Sequence, residues 1–169
     1  MDTKTKLFDF ISLCQIPPIV VCIGSPSVPG DSFGPLTGQL LNDFYRIPSF
    51  VYGTLYSPIT ALNLRATLRT VKGRHPSRKI IAVDSAVGSR LSQSPRYFFG
   101  SIKPGLAAGK ELPLVGDFSV TATLGVNSVK SLASVKFAEV YGLSLRAAEA
   151  ISLAFGKFKS SYAATSLTL

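Results

Sequence analysis

The sequence predicts an α/β fold of three layers, α/β/α, built on a mostly parallel sheet. Two observations carry this reading. Short runs rich in β-branched residues, Ile19–Ile23 and Lys79–Val83, alternate with stretches whose apolar residues recur at helical spacing. Strand alternating with helix is the pattern of βαβ units, which pair their strands in parallel. The 169 residues fit one domain, 1–169, with a core over about 19–160, and a chain of that size buries a sizeable core. A hydrophobic fraction of 46% and an aromatic fraction of 10% exclude a disordered chain.

The elements follow in order. Lys4 to Leu13 reads as a short helix, and Ile19–Ile23, ending at Gly24, as a buried strand. The loop Ser25-Pro26-Ser27-Val28-Pro29-Gly30 leads to a helix beginning between Asp31 and Pro35, with Leu36, Leu40, Leu41 and Phe44 on one face. Pro48 closes it, and Ser49-Phe50-Val51-Tyr52-Gly53 makes a second strand. Pro58 suits the first turn of the next helix. Ile59, Leu62, Leu64, Leu68 and Val71 follow on it, and Arg65, Arg69 and Lys72 complement its C-terminal dipole. Lys79–Val83 is a strand that stops at Asp84, with a turn over Asp84-Ser85-Ala86-Val87-Gly88. Arg96–Ile102 and Phe118–Leu124 read as two further strands. Two C-terminal helices are expected, Val129 to Tyr141 capped by Gly142, and Ser144 to Ser160, before a frayed tail over Ala163–Leu169.

No apolar run of 18 residues is uninterrupted, so no membrane span is expected. The opening residues lack a secretory h-region and cleavage site, which points to a cytoplasmic protein. Cys14 and Cys22 belong to no redox or metal motif and read as buried, inert thiols. Two cysteines and the single His75 cannot supply four zinc ligands, and neither metal nor cofactor is expected. The net charge of +9 fits an acidic partner or simple solubility. Nucleic-acid modules interleave aromatics with their charges, and that pattern is missing here.

Two motifs mislead. Gly30-Asp31-Ser32-Phe33-Gly34 spells the nucleophile elbow G-x-S-x-G, but it begins seven residues past its strand. The only histidine precedes Asp84 in a polar loop, so serine hydrolysis lacks its general base. The Gly24–Gly30 loop matches no phosphate-binding pattern, and Pro26 and Pro29 remove backbone donors that such a loop uses. The constellation that remains is Asp31 with Asp84. One follows the first strand and the other ends the third, so both can face the crevice at the carboxyl ends of a parallel sheet. Each also has a purely structural reading, Asp31 as a helix cap and Asp84 as the brace of a turn.

Five ordered blocks carry a resemblance. The stretch Gly24–Gly34 continuing into Pro35-Leu36, the segment Val51-Tyr52-Gly53-Thr54-Leu55, and Ile81-Ala82-Val83-Asp84-Ser85 resemble the YyaC family of sporulation proteins. Ile102-Lys103-Pro104-Gly105 and Leu112-Pro113-Leu114-Val115-Gly116-Asp117 continue the match, over about residues 19 to 155. That family is in turn similar, more remotely, to the spore germination protease, which has the phosphorylase/hydrolase-like fold of the hydrogenase maturation proteases. The resemblance implies that Asp31 and Asp84 stand at the two aspartates of an aspartic-type mechanism. It implies further that Lys103, Gly105 and Gly109, in a segment echoing a Pro-Gly-x-Gly loop, help bind substrate. The histidine through which the maturation proteases hold metal has no counterpart here.

On this resemblance the expected function is a sporulation peptidase, in the cytoplasm of the sporulating cell or forespore, acting on a protein or peptide such as small acid-soluble spore proteins. The Asp31–Asp84 pair would share a proton and activate water. Two rivals stand beside it: a non-catalytic sporulation protein that keeps the cleft for binding, and weak attraction to nucleic acid or another acidic partner. An oligomer is compatible with all three.

Overall fold

The structure is a computed structural model that describes residues 3–158. Its strands and helices are β1 (Ile19–Cys22), β2 (Val51–Tyr52), β3 (Ile80–Gly88), β4 (Arg96–Phe99), β5 (Phe118–Val126), α1 (Thr3–Leu13), α2 (Phe33–Gln39), α3 (Leu64–Arg74) and α4 (Phe137–Ala154). They form one five-stranded sheet in the order β2-β1-β3-β5-β4, parallel except for the β4–β5 pair.

Period-two alternation sorts the strand side chains into two cores, one on each face of the sheet. Val20, Cys22, Ile81, Val83 and Val120 pack with α1, α2 and α4. Ile19, Val21, Ile23, Ile80 and Ala82 pack instead with Leu64, Leu68 and Val71 of α3. All four residues of β1 are buried, because helices cover both of its faces. The expected α/β/α layering around a mostly parallel sheet is what the chain adopts.

The differences from the sequence reading have identifiable causes. The strand expected to stop at Asp84 runs on to Gly88, since β5 pairs with it as far as Gly88↔Val126. The helix expected from Pro58 begins at Leu64, because Asn63 Oδ1 accepts the Thr60 N–H at 2.8 Å and holds a turn there. Leu62 is accordingly solvent-exposed. The strand expected to reach Ile102 ends at Phe99, and Ile102 makes only an isolated bridge to Val115. The two expected C-terminal helices are a 3-10 stretch, Val129–Ser134, and the single helix α4, with Gly142 in its interior. The expected end at Ser160 and the tail over Ala163–Leu169 lie outside the described residues.

Two close approaches seat α2 on the sheet. A Cβ on Gly34 would meet Ile23 O at 2.1 Å, and one on Gly38 would meet Gly53 O at 2.2 Å. Only glycine allows helix backbone to lie this near strand backbone.

Candidate functional site

After β1 the chain passes through α2 to β2 on one side of β1, whereas β3 lies on the other. The carboxyl ends of β1 and β3 therefore flank a topological switch point, where open α/β sheets form their ligand crevice. A cavity of about 630 Å³ opens there, and Asp31 and Asp84 both line it.

The way β1 ends creates this cavity. Ile19 N–H and Ile23 N–H donate to Lys79 O and Val83 O of the adjacent strand, each at 2.8 Å. Two residues further on, the Ser25 N–H would donate to Ser85 O if the ladder continued. It donates to Asp31 Oδ2 instead, at 2.8 Å. Gly24, with φ +142°, turns the chain away from the sheet, and a Cβ on it would meet Asp31 O at 2.0 Å. Asp31 itself lies in a 3-10 turn, Pro29–Ser32, that enters α2. Its carboxylate thus both ends the pairing and holds the loop that has left it.

Ser85 links the two acids. Its hydroxyl donates to Asp31 Oδ1 at 3.1 Å, and its backbone N–H, next in the chain after Asp84, favours the charged form of that carboxyl. Burial pushes the Asp84 carboxyl well above the carboxylate range, the negative charge of Asp31 adds to that, and the Ser85 N–H opposes both. Burial also raises Asp31, against hydrogen bonds from Ser25 N–H and the Ser85 hydroxyl and the charge of Lys110. Burial and the neighbouring charge favour the neutral form of Asp84, while two donors and Lys110 favour the charged form of Asp31.

Cations border the acids. Thr121 stands in register with Asp84 on one side and Arg96 on the other. Asp84, Thr121 and Arg96 thus form a row on one sheet face, with Arg96 about 10 Å from Asp84, two strand spacings away. Lys103 and Gly105 line the cavity, while Gly109 lies outside its wall. Gly105 and Gly109, with φ of 70° and 66°, flank the short 3-10 turn Leu106–Ala108. Sequence reasoning missed Ser25, Arg96, Lys110 and Lys130 as members of this site. Ser85 alone had a signal, its place directly after Asp84.

The misleading motifs are accounted for. Ser32 is buried and its hydroxyl donates to Pro29 O at 2.6 Å. His75 meets the Tyr52 hydroxyl at 2.9 Å and stacks on Phe50 at 4.4 Å, beside Ile80 at the amino end of β3. Serine and histidine have no common site.

Residues 2–152 match the family described as "Protein of unknown function (DUF1256)". The chain belongs to that family. Among its relatives is the uncharacterized protein YyaC of Bacillus subtilis strain 168, 37% identical over 112 residues, which cover 66% of this chain and 55% of YyaC. The chain therefore spans little more than half the length of the curated relative it matches. The expected kinship with YyaC holds. No solved structure matches the chain. Among the described residues, no helix is long and apolar enough to cross a membrane.

Proposed function

We propose that this protein is a peptidase of sporulating cells in which Asp31 and Asp84 activate water. The observation that carries the reading is the convergence of two carboxyls, joined through Ser85, on one cavity at the switch point of the sheet. The resemblance of the two aspartate blocks to those of the spore germination protease supports it, and small acid-soluble spore proteins are the substrates it suggests.

In this mechanism ionised Asp31 takes a proton from a water held between the acids, and that water attacks the scissile carbonyl carbon. Protonated Asp84 donates its hydrogen bond, then its proton, to the carbonyl oxygen. Collapse of the tetrahedral diol returns that proton to Asp84. The leaving amine takes the proton held by Asp31. Atoms and charge balance without a metal. Lys103 and the backbone amides beyond Pro104 border the cavity where an oxyanion develops.

A second reading follows from one contact pattern. Both oxygens of Asp31 accept hydrogen bonds inside the protein, and a carboxylate so occupied serves equally well in a cleft that binds a spore protein without cutting it.

Purified protein incubated with small acid-soluble spore proteins, followed by mass spectrometry of the fragments, separates the two. Cleavage by the wild type that disappears in both Asp31→Asn and Asp84→Asn supports the peptidase. Intact substrate, or cleavage unchanged in both variants, sinks it.

A further inference from the structure

The cleft contains an unpaired strand edge. On β3 the carbonyls of Lys79 and Val83 face β1, whereas those of Ile80 and Gly88 accept from Asp117 and Asn127 on the β5 side. Backbone groups alternate sides along a strand, so the odd-numbered residues of β3 address β1. Past Val83, however, β1 has gone. The C=O of Ser85 and both the N–H and C=O of Val87 therefore face the place β1 vacated. Ser85, Ala86 and Val87 all line the cavity. Next to them a β-bulge interrupts the β3–β5 register between Ala86 and Val87, a device that recurs beside active sites.

The two sides of this edge differ. On the α3 side stands Arg96, and the loop carrying Lys103 and Lys110 is anchored to the same side by Ile102 and Leu112, which pack on that core. On the α2 and α4 side, Val28, Val129 and Leu132 belong to the other core and also reach the cavity. Lys130 adds a fourth cation. Among the described residues the only ion pair is Lys79–Asp117, so none of these four cations is ion-paired to a described carboxylate.

We infer that the cleft binds an extended peptide as an added strand along the Ser85–Gly88 edge, with acidic side chains toward Arg96, Lys103 and Lys110 and apolar ones toward Val28, Val129 and Leu132. Backbone hydrogen bonds supply affinity in strand addition, and alternate side chains supply specificity. Charge complementarity selects the acidic residues. The inference rests on the reading above only in taking the ligand to be a peptide, and it predicts a pattern, acidic alternating with apolar, that the reading does not contain.

The test measures binding rather than cleavage. The probe is a fluorescein-labelled, end-blocked heptapeptide of alternating Glu and Val, titrated by anisotropy into the full chain carrying Asp84→Asn. The alternating peptide is expected to bind at least about tenfold more tightly than one of equal composition with its Glu residues grouped. Its affinity is expected to fall between about 50 mM and about 200 mM salt. Methylating its amide nitrogens one at a time should weaken binding about tenfold at every second position, the cost of one lost hydrogen bond, and little between. Val87→Pro, which removes an edge N–H but no bond to β5, should cost a similar factor while circular dichroism and melting stay unchanged. Equal binding of the grouped peptide, or a methylation scan without the two-residue period, overturns the inference. The methylation scan decides the matter even if Val87→Pro fails to fold. Periodic binding, together with a wild type that leaves the spore proteins intact, would uphold this inference and sink the peptidase. Cleavage without the period would do the reverse.

Discussion

The Ser85 hydroxyl donates to Asp31 Oδ1, while the N–H of the same residue, next in the chain after Asp84, favours the charged form of the Asp84 carboxyl. One residue thus sets the relative positions of two acids 53 positions apart in the chain, and each donor lowers the carboxyl it serves.

Ser85→Ala removes one of these donors. The Asp31 carboxyl should titrate at higher pH than in the wild type, since the lost hydroxyl stabilised its charged form. Carboxyl carbon NMR across a pH series measures the shift. Stability should fall by about 1.5–3 kcal/mol in urea, as for a hydrogen bond to a charged group.

Asp84→Asn should change how stability depends on pH. Burial raises the Asp84 carboxyl above its ordinary 3.8. From about pH 4 upward the unfolded chain has released this proton and the folded chain has kept it. Stability must therefore fall as pH rises through that window, and level off above the raised value. The amide has no proton to release. The variant should melt higher than the wild type at pH 7, by a few degrees, with the gap closing near pH 4. A gap independent of pH would mean that Asp84 is ionised in the fold.

Gly24→Ala and Gly109→Ala should part company, although both glycines have positive φ. At Gly24 the new Cβ meets the Asp31 backbone oxygen at 2.0 Å; at Gly109 it meets nothing within 4 Å. Denaturant titration is expected to show a loss of about 3 kcal/mol or more at Gly24. At Gly109 only the left-handed backbone cost of about 1–2 kcal/mol applies.

Cys14 and Cys22 are both buried and free. Burial pushes the Cys22 thiol far above its usual range, and the Cys14 thiol donates to Phe10 O at 3.3 Å. Neither should react with a thiol reagent at pH 8 in the native protein, and both should react in guanidinium.

The strands were legible in the sequence because β-branched runs report a doubly covered sheet directly, as in Ile19–Ile23. Asp31 and Asp84 were legible because each falls at a strand–loop boundary that the parallel pattern places at one end of the sheet. What escaped was decided by partners distant in the chain. Ser85-Ala86-Val87-Gly88 has the composition of a turn, and only pairing with β5 makes it a strand. Gly142 has the look of a helix cap, yet it continues α4 because Val140, Leu143 and Ala147 around it are all held in the core. Arg96 reached the site by cross-strand register, Lys110 through a loop and Lys130 through the 3-10 stretch after β5, none of which a residue pattern encodes.

Gly34 and Gly38 bring α2 against the ends of β1 and β2 through main chain alone. No rotamer change can relieve or remake such contacts, so any roll of α2 along the sheet meets a carbonyl at once. The turn that carries Asp31 leads straight into this helix. A stiff receptor on the Asp31 side is the expected consequence, one that favours a ligand already straight. Amide exchange over residues 19–41 should look the same whether the cleft is empty or full.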